Sequence, residues 1–536
     1  MPKTLNLSIF EVMSRFLCLS FSTLLLFYGC RKESTTWDAD YALPLIHTKL
    51  DIGNLLGDTN LLVNADSSLI LSIQREIYRI DVDSFFETPD TTISQVHKLP
   101  TSATLSISPG YTFISETEES TYNIAGAELR YFKLKGGKLN YELISYVTGP
   151  TIDSIILPCA TKGGIEFSEV IYVPTSDGIT PAIAVGSVDL NDYEFDLTGT
   201  NSLKYNTITS KASSTIDPAF SSNVTISQAD SIRINVSFED ISPARALGYF
   251  GHELIEIPLD TVAIPFMDKI ISGSLDIDQV QLDVTIKSGL GVDMQVNIEQ
   301  LNSLNTSSMV ALNHSTIGAP INLTRPTRTG WTVASEIHTE SFSNSTSNLD
   351  EFLENLPKEL SYSAQLQINP FGDVNSHGDF FDYEYPLLAN INLEVPLCFA
   401  ANNLTLQDTL NIEIEEDTTN IQNGSIIINA TNNFPLSAEI KVFVLDENGL
   451  FTDPISTSTT IDPAVLNLAN EVISSSTSQL ILTVNKDQIT RLIQTKQLLL
   501  NVVFNTANLP NMIKIMDWHN IDLNLNVILN YQHTIN

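Results

Sequence analysis

Hydrophobic and polar residues alternate one by one along most of this chain. The segment VQLDVTI (280–286) has an aliphatic residue at every second position, and VDMQVNI (292–298) repeats the pattern. IDLNLNVILNY (521–531) continues it near the C-terminus. Because successive side chains of a β-strand point to opposite faces, a period of two predicts strands with one buried face. We therefore predict a mainly β protein made of several β-sandwich-like units with a few short helices.

Three segments instead repeat their apolar residues at helical spacing. In SNLDEFLENLP the apolar residues lie at i, i+3, i+4 and i+7; Asn348 and Glu351 can form a capping box, and Pro357 ends the pattern. The other two are DPAVLNLANEV, from Asp462, and NKDQITRLIQTKQ, from Asn485. We predict short helices near 348–357, 462–472 and 487–497.

A pattern of two alternating strands joined by a short turn occurs three times, starting at Gly136, Ser272 and Asn423. In the last two copies, SGLGVDMQV and NNFPLSAEI align without gaps. Either duplication or the general likeness of paired strands explains this pattern, and duplication implies about three related β-units. The third copy also resembles the strand–Asn–x–Pro–strand of late-embryogenesis-type β-sandwiches.

Length and charge narrow the classes of function. A chain of 536 residues is long enough for two to four domains. It has 27 Lys and Arg against 63 Asp and Glu, a net charge of −36. Such a surface repels nucleic acid and anionic headgroups, so we expect no nucleic-acid partner. Only 17% of the residues are charged, and Asn, Ser and Thr replace the missing charge, as is typical of secreted β-rich proteins.

The N-terminus has the features of a secretory signal. An apolar run from Phe16 to Tyr28 follows Arg15, and it is shorter than the ~20 residues that a membrane-spanning helix needs. Translation from Met13 gives a more typical signal than translation from Met1, because Glu11 lies where signal peptides avoid acid. The sequence is compatible with translation from either methionine.

The apolar run ends in FYGC, which resembles a bacterial lipobox, the signal in which the Cys is acylated and becomes the first mature residue. Gly29 fits the small residue before the Cys, whereas Phe27 and Tyr28 depart from the common pattern. The resemblance implies lipidation, with palmitate-type chains, at Cys30. The alternative is a simple secretory signal with an accidental Cys.

Arg31, Lys32 and Glu33 follow the Cys and resemble the surface-export signal of Bacteroidota lipoproteins. Together with LGYFGHELIEIP, the SNLDEFLENLPKEL segment and NNFPLSAEIKVFVLDENG, they make the chain resemble large Bacteroidota outer-membrane lipoproteins. The resemblance implies an outer-membrane protein anchored by its N-terminal lipid, with protein partners there and no particular activity. We expect the cell surface rather than the periplasmic face.

These observations predict the following division of the chain. The segments are a signal peptide (1–29), a lipidated tether (30–40), and three β domains (41–180, 181–395 and 396–536), with the first predicted helix in the second domain and the other two in the third.

The sequence holds no recognisable catalytic constellation. HELIE, at His252, has Glu256 where a zinc protease has its second His, and it lies in a predicted strand. Phosphate-binding glycine loops and the GxSxG elbow are absent from the sequence. IEIEEDTTN, with Glu413 and Asp417, reads better as a solvated strand end than as a calcium site. We therefore predict no catalytic, cofactor-binding or metal-binding residues and no cofactor.

Two modifications of side chains need consideration. Cys159 and Cys398 remain once the signal is removed and the lipid attached; they are either a disulfide or two separate buried thiols. Asp followed by Ser or Thr and then an apolar residue or Thr resembles the O-glycosylation motif of Bacteroidota envelope proteins, with chance in a Ser/Thr-rich chain as the alternative. The resemblance implies modification at Ser154, Ser231, Thr261, Thr409 and Thr418.

The sequence is consistent with two hypotheses about function, which belong to different classes. The first is a lipid-anchored envelope protein that acts by binding or assembly, without catalysis, as a surface lipoprotein or an accessory subunit of an outer-membrane machine. The second is a secreted or surface hydrolase with a carboxylate-based site. A deep acidic cleft would favour the hydrolase, and a long β-stack without a cleft would favour the first.

Overall fold

The computed structural model describes residues 35–53, 61–80, 91–98, 103–124, 126–411, 421–446, 451–455 and 460–535. The predictions for Cys30, Arg31, Lys32, Glu33 and Thr418, and the Glu413–Asp417 segment, lie outside these residues.

The described part of the chain is mainly β, as predicted. Its helices are a 3-10 turn (Pro265–Lys269), α1 (Leu349–Glu354) and α2 (Lys486–Thr495). Its strands are β1 (Thr35–Asp51), β2 (Leu61–Val63), β3 (Leu69–Arg79), β4 (Thr91–His97), β5 (Leu105–Ile107), β6 (Thr112–Thr121), β7 (Glu128–Ser145), β8 (Thr151–Lys162), β9 (Ile165–Val173), β10 (Ala182–Asp189), β11 (Glu194–Asp196), β12 (Thr207–Ile216), β13 (Val224–Ile226), β14 (Ile232–Tyr249), β15 (Glu253–Ala263), β16 (Ile270–Ile277), β17 (Gln281–Ser288), β18 (Met294–Leu304), β19 (Met309–Ala311), β20 (Pro320–Leu323), β21 (Thr327–Thr329), β22 (Thr332–Ala334), β23 (Glu336–Ser343), β24 (Glu359–Ile368), β25 (Asp379–Asp382), β26 (Leu388–Pro396), β27 (Cys398–Asn411), β28 (Ile421–Asn432), β29 (Leu436–Leu445), β30 (Phe451–Ile455), β31 (Val465–Leu466), β32 (Val472–Ser474), β33 (Ser476–Asn485), β34 (Gln497–Thr506), β35 (Ile513–Lys514) and β36 (Asn520–Ile535).

Three groups of eight strands have the same pairing. The first unit combines β4-β14-β7-β10 with β6-β12-β8-β9. The second unit combines β3-β26-β17-β23 with β15-β24-β18-β20. The third unit combines β1-β36-β28-β33 with β27-β34-β29-β30. All these pairs are antiparallel, and apolar side chains from both members of each combination line shared cavities of about 60 to 100 Å³, so the two sheets face each other.

The three units coincide with the predicted repeats. The repeat strands are β7 and β8 in the first unit, β17 and β18 in the second, and β28 and β29 in the third. In each unit the second repeat strand belongs to the set of four strands that faces the first repeat strand. Four later strands of the unit then pair with these two strands, and the order in which they do so along the chain is the same in all three units. A common pairing kept over six successive strands supports duplication, since unrelated hairpins share only one pairing.

The units are nested along the chain. Strand β1 belongs to the third unit, β3 to the second, and β4 and β6 to the first; the chain then completes the first, second and third units in turn. The predicted boundary between residues 180 and 181 therefore falls inside the first unit, between β9 and β10. Residues 35–40 of the predicted tether form part of β1 and pair with β36. Because the first strand pairs with the last, the third unit combines segments from both ends of the chain.

A buried polar side chain stands at the end of the first repeat strand in every unit. From there the chain crosses to the facing strands through an arch, and the side-chain oxygen accepts a hydrogen bond from the backbone N–H two residues on. That N–H belongs each time to an apolar residue that is at most 2% exposed. The bonds join Ser145 to Val147 (3.2 Å), Ser288 to Leu290 (3.2 Å) and Asn432 to Phe434 (2.8 Å).

Two of the three predicted helices are confirmed, and they occupy equivalent places. Helix α1 lies between β23 and β24, and α2 lies between β33 and β34. The capping box forms at α2, where Asn485 and Gln488 exchange hydrogen bonds of 2.9 and 3.0 Å. At α1 the predicted box is wrong, because the Asn348 side chain binds the backbone of Asn313 and Ala311 instead.

The predicted helix at 462–472 is wrong. This segment forms the small hairpin of β31 and β32. The Asn467 side chain accepts hydrogen bonds from the backbone of Ala469 (2.8 Å) and Glu471 (3.0 Å), and Asn470 has a positive φ of 60°. A side chain that satisfies nearby backbone groups in this way favours a turn over a helix.

The first unit has a short strand, β11, where the other two units have a helix. Here β11 pairs with both β7 and β8 and so joins the two sets of strands into one ten-stranded sheet. Phe195, at the centre of β11, is fully buried and stacks on Phe132 with ring centroids 4.6 Å apart. The first unit is therefore joined by strand pairing on one of its two sides.

We predict that Asn432→Ala destabilises the protein by about 3 kcal/mol, because the buried N–H of Phe434 and the buried carbonyl of Leu436 (2.9 Å) would each lose a partner, as would the carbonyl of Asp462 (2.8 Å). Urea denaturation followed by circular dichroism measures the effect. Asn433→Ala is the matched control, since Asn433 is half-buried and bonds through its backbone to Asn520. Equal loss in both variants would contradict this role of the arch.

Candidate functional site

A cleft of about 410 Å³ lies where the first unit meets loops of the second. The first unit contributes strands β7, β11 and β14, and their register aligns Asp196, Tyr131 and Leu247 side by side. The second unit contributes Arg328 on β21 and the segment 376–379 that leads into β25. Both pieces lie outside the strand set that the three units share.

Asp379 fixes the loop that forms one wall of the cleft. It is 1% exposed, and its Oδ2 accepts hydrogen bonds from the backbone N–H of Phe250 (3.0 Å) and the amide of Asn369 (2.7 Å). Its Oδ1 accepts from Arg325 at 3.1 Å. Burial raises the pKa of Asp379, while these hydrogen bonds and the arginine act in the opposite direction. Both carboxylate oxygens are therefore committed to holding the loop.

His377 is fixed on the same wall by contacts on every side. Its ring stacks on Tyr205 with centroids 4.2 Å apart and an angle of 2°. Nε2 lies 2.5 Å from the Glu128 carboxylate, and Nδ1 lies 2.9 Å from that of Asp373. Ser376 and His377 both have positive φ, at 54° and 57°, a region that residues with a Cβ rarely adopt outside constrained sites.

Trp331 stands beside the cleft among cationic and aromatic groups. The guanidinium groups of Arg245 and Arg328 lie 5.0 and 5.1 Å from its ring centroid, within the range of cation–π attraction. The Tyr131 ring lies 5.5 Å away. Burial, and then the charge of Glu194, raise the pKa of Tyr131 to about 12, so its hydroxyl stays protonated and can donate a hydrogen bond.

Arg245 links Trp331 to a buried carboxylate. Its Nε donates to Asp382 at 2.7 Å, and Asp382 is fully buried. The same pair connects β14 to β25, which are neighbours in the ten-stranded sheet. The aromatic corner of the cleft is thus positioned by an ion pair between two strands.

The cleft can recognise a negatively charged, hydroxyl-rich ligand. Arg130 and Arg328 are both exposed, and Arg130 makes no side-chain hydrogen bond or ion pair with the described residues. Hydroxyl groups of Tyr131 and Ser376 and the exposed carboxylate of Asp196 add donors and acceptors. Guanidinium groups suit carboxylate, sulfate and phosphate oxygens, and in a chain of net charge −36 two exposed arginines in one cleft favour an anion.

The cleft was not found from the sequence. Arg130, Arg328 and His377 are far apart in the chain and have no motif spacing. Trp331, one of only three tryptophans, was the available signal. A second group that spacing did not reveal is His97 with Glu116 and Glu118, whose ligand atoms all lie within 4.8 Å of one another, close enough to hold a metal ion.

The sequence-predicted modification sites are scattered over the molecule. Ser154 lies on β8, Thr261 on β15 and Thr409 on β27, while Ser231 immediately precedes β14. Thr261 and Thr409 are exposed, whereas Ser154 is half-buried, with its hydroxyl 2.6 Å from that of Ser213. Two of them lie in the first unit, one in the second and one in the third; none lines the cleft, and O-glycosylation stays a prediction.

The other sequence motifs have plain structural roles. His252 precedes β15, so HELIE is a strand, as predicted, and His252 Nδ1 lies 3.0 Å from the carbonyl of Asn369. Cys159 and Cys398 are separate free thiols. Burial raises the pKa of the Cys159 thiol to about 11, which keeps it protonated and unreactive.

The comparisons with known proteins show no family. No protein-family model and no curated protein matches the chain. The 2.00 Å crystal structure of a presumed secreted protein from Parabacteroides distasonis aligns with 52% of this chain and 82% of its own, at 13% identity and a TM-score of 0.25. That likeness is too distant to support a conclusion about fold or function. Among the described residues, no helix is long and apolar enough to cross a membrane.

We predict that Arg245→Met destabilises the protein by about 3 kcal/mol, because Asp382 would keep a buried charge without its partner. The free energy of unfolding in urea, together with the fluorescence of Trp331, tests this. Arg233→Met is the control on the same strand, since Arg233 is exposed and makes no side-chain hydrogen bond or ion pair with the described residues. An unchanged stability for Arg245→Met would show that the pair does not position the corner.

Proposed function

We propose that this protein is a lipid-anchored outer-membrane protein that acts by binding, with the cleft as the site for an acidic sugar chain. The observation that carries the proposal is the pair of exposed guanidinium groups, Arg130 and Arg328, in one cleft beside an aromatic corner. A uronic acid offers a carboxylate to an arginine and hydroxyl groups to the polar side chains, and its ring packs on aromatic surfaces.

The state of the titratable groups favours binding over catalysis. Both oxygens of Asp379 already accept hydrogen bonds, and both ring nitrogens of His377 already contact carboxylates. A general acid or base needs a proton or a lone pair directed at the substrate. These groups are directed at the protein, which suits residues that shape a site.

A carboxylate-based hydrolase is the second candidate. The supporting observation is that Asp379, whose pKa is raised by burial, shares the cleft with the exposed carboxylate of Asp196. Glycoside hydrolases use two carboxyl groups in different environments, one protonated and one ionised. Release of reducing ends from the polysaccharide tested below, lost in Asp196→Asn, would favour this candidate over simple binding.

The proposed anchor would hold one of the three units close to the membrane. Residues 31–34 separate the proposed lipid-bearing Cys30 from strand β1, and four residues span at most about 14 Å. Strand β1 belongs to the third unit, so this unit lies nearest the membrane.

We expect Cys30→Ala to move the protein from the membrane fraction to a soluble fraction, because the acyl chains would be lost. Phase partitioning in detergent and immunoblotting of cell fractions measure the change. Cys159→Ala is the control and should stay with the membrane, since Cys159 is a free thiol within β8. Retention of the Cys30 variant in the membrane would disprove lipid anchoring at this position.

We expect the purified protein to bind polygalacturonate, an acidic polysaccharide, and not dextran, a neutral one. The double variant Arg130→Ala, Arg328→Ala should bind about tenfold more weakly, since each arginine offers charge-assisted hydrogen bonds. Affinity electrophoresis in polysaccharide-containing gels compares the variants, with Arg233→Ala as the control. Binding that Arg233→Ala weakens equally, or equal binding of dextran, would contradict the proposed site.

A further inference from the structure

On one side of the first unit, no strand pairing among the described residues connects its two sets of strands. On the opposite side β11 joins the two sets of strands. On the open side the edge strands are β4, which pairs with β14, and β6, which pairs with β12. Among the described residues, β4 and β6 share no backbone pairing, and the side-chain contact between them is the one from His97 Nδ1 to Glu116 Oε2 at 2.6 Å.

Three side chains that could ligate a metal lie at this open side. His97 is opposite Ile232, which is 1% exposed, and Glu116 is opposite Ala212, which is 7% exposed. Residues opposite each other in an antiparallel pair share a face of the sheet, so His97 and Glu116 lie on the faces turned toward the other sheet. His97 is buried there, whereas Glu116 and Glu118 are exposed at the open edge. Glu118 is two residues from Glu116 and therefore lies on the same face.

We propose that His97, Glu116 and Glu118 bind a divalent transition-metal ion of the zinc class, and that this ion closes the open side of the first unit. One histidine nitrogen and two carboxylate oxygens, all within 4.8 Å of one another, can converge on one ion. His97 lies on β4 and the two glutamates lie on β6, so the ion would connect the two edge strands.

One ring nitrogen of His97, Nδ1, contacts Glu116, and the other has no partner among the described residues. The side chain is 2% exposed, yet its Nε2 is buried without a hydrogen-bond partner among the described residues. Buried polar groups are nearly always paired, and an exception calls for a bound water or ion. His519 is equally buried and also has an unpaired Nε2, but it belongs to no three-ligand group among the described residues, so His97 is distinguished by its two carboxylate neighbours.

The kind of ligand selects the kind of metal. Calcium and magnesium prefer sites made entirely of oxygen, whereas an imidazole nitrogen together with carboxylates suits zinc and its neighbours. Three protein ligands leave at least one coordination position for water. The inference is independent of the cleft, because none of these three residues lines it.

Zinc titration of the full chain tests the site. The detergent-purified protein, without an affinity tag, is stripped with EDTA, dialysed and titrated with zinc chloride by calorimetry. We expect one zinc ion per chain, and at least about tenfold weaker binding in Glu118→Gln, which loses a charged ligand but keeps the His97–Glu116 contact. His338→Asn is the matched control, because His338 also contacts a glutamate, Glu340, at 2.8 Å but belongs to no three-ligand group among the described residues.

A melting experiment separates the loss of a metal ligand from misfolding. Zinc should raise the melting temperature of the wild-type protein and of His338→Asn, and it should not raise that of Glu118→Gln. In EDTA, Glu118→Gln and the wild type should melt at the same temperature, which shows that the variant folds. Absence of stoichiometric zinc binding, equal binding by Glu118→Gln, or tighter binding of calcium than of zinc would each overturn the proposal.

Discussion

The arch at the end of the first repeat strand is the constraint on which the rest of the fold depends. Two adjacent alternating strands form a hairpin by default, with both strands in one sheet. Here a buried Ser or Asn accepts the N–H two residues on, and the chain turns across the core instead of back along its own sheet. The following apolar residue then fills the space between the sheets. Each sheet obtains one central strand in this way, and the later strands pair on either side of it.

Nesting of the units ties the chain ends to each other. The strand that begins at Thr35 pairs along its length with the strand that ends at Ile535, so the third unit is complete only when the whole chain is present. Contacts of such large sequence separation carry a high cost in loop-closure entropy and slow the folding. The long pairing, from Thr35 to Asp51, offsets that cost with a continuous ladder of hydrogen bonds.

The features that suggest function occur where the repeated plan is interrupted. The cleft uses β11, β21 and β25, which are outside the common set of strands, and a loop with two positive-φ residues before β25. The group of His97, Glu116 and Glu118 lies on the side of the first unit that β11 does not close. Common strands supply Arg130, His97 and the two glutamates, and the interruptions of the plan leave room for recognition around them.

Much of the fold was available from the sequence alone. Alternation identified the strands because each has one buried face, and the three repeats marked the two central strands of every unit. Helical spacing located α1 and α2, whereas the same spacing failed at Asp462 because Asn467 satisfies the backbone in a turn. The strength of these local signals comes from interactions between residues close in the chain.

The tertiary structure decided everything that depends on distant residues. The nesting of the units follows from which strands pair. The hydrogen bond between Asn530 and Asp40 joins β1 to a strand 490 residues away, and nothing in the sequence of β1 indicates this partner. The cleft is lined by both Arg130 and Arg328, and the open side of the first unit brings His97 next to Glu116. Such groups arise when separate strands fold against one another, so no spacing in the sequence announces them.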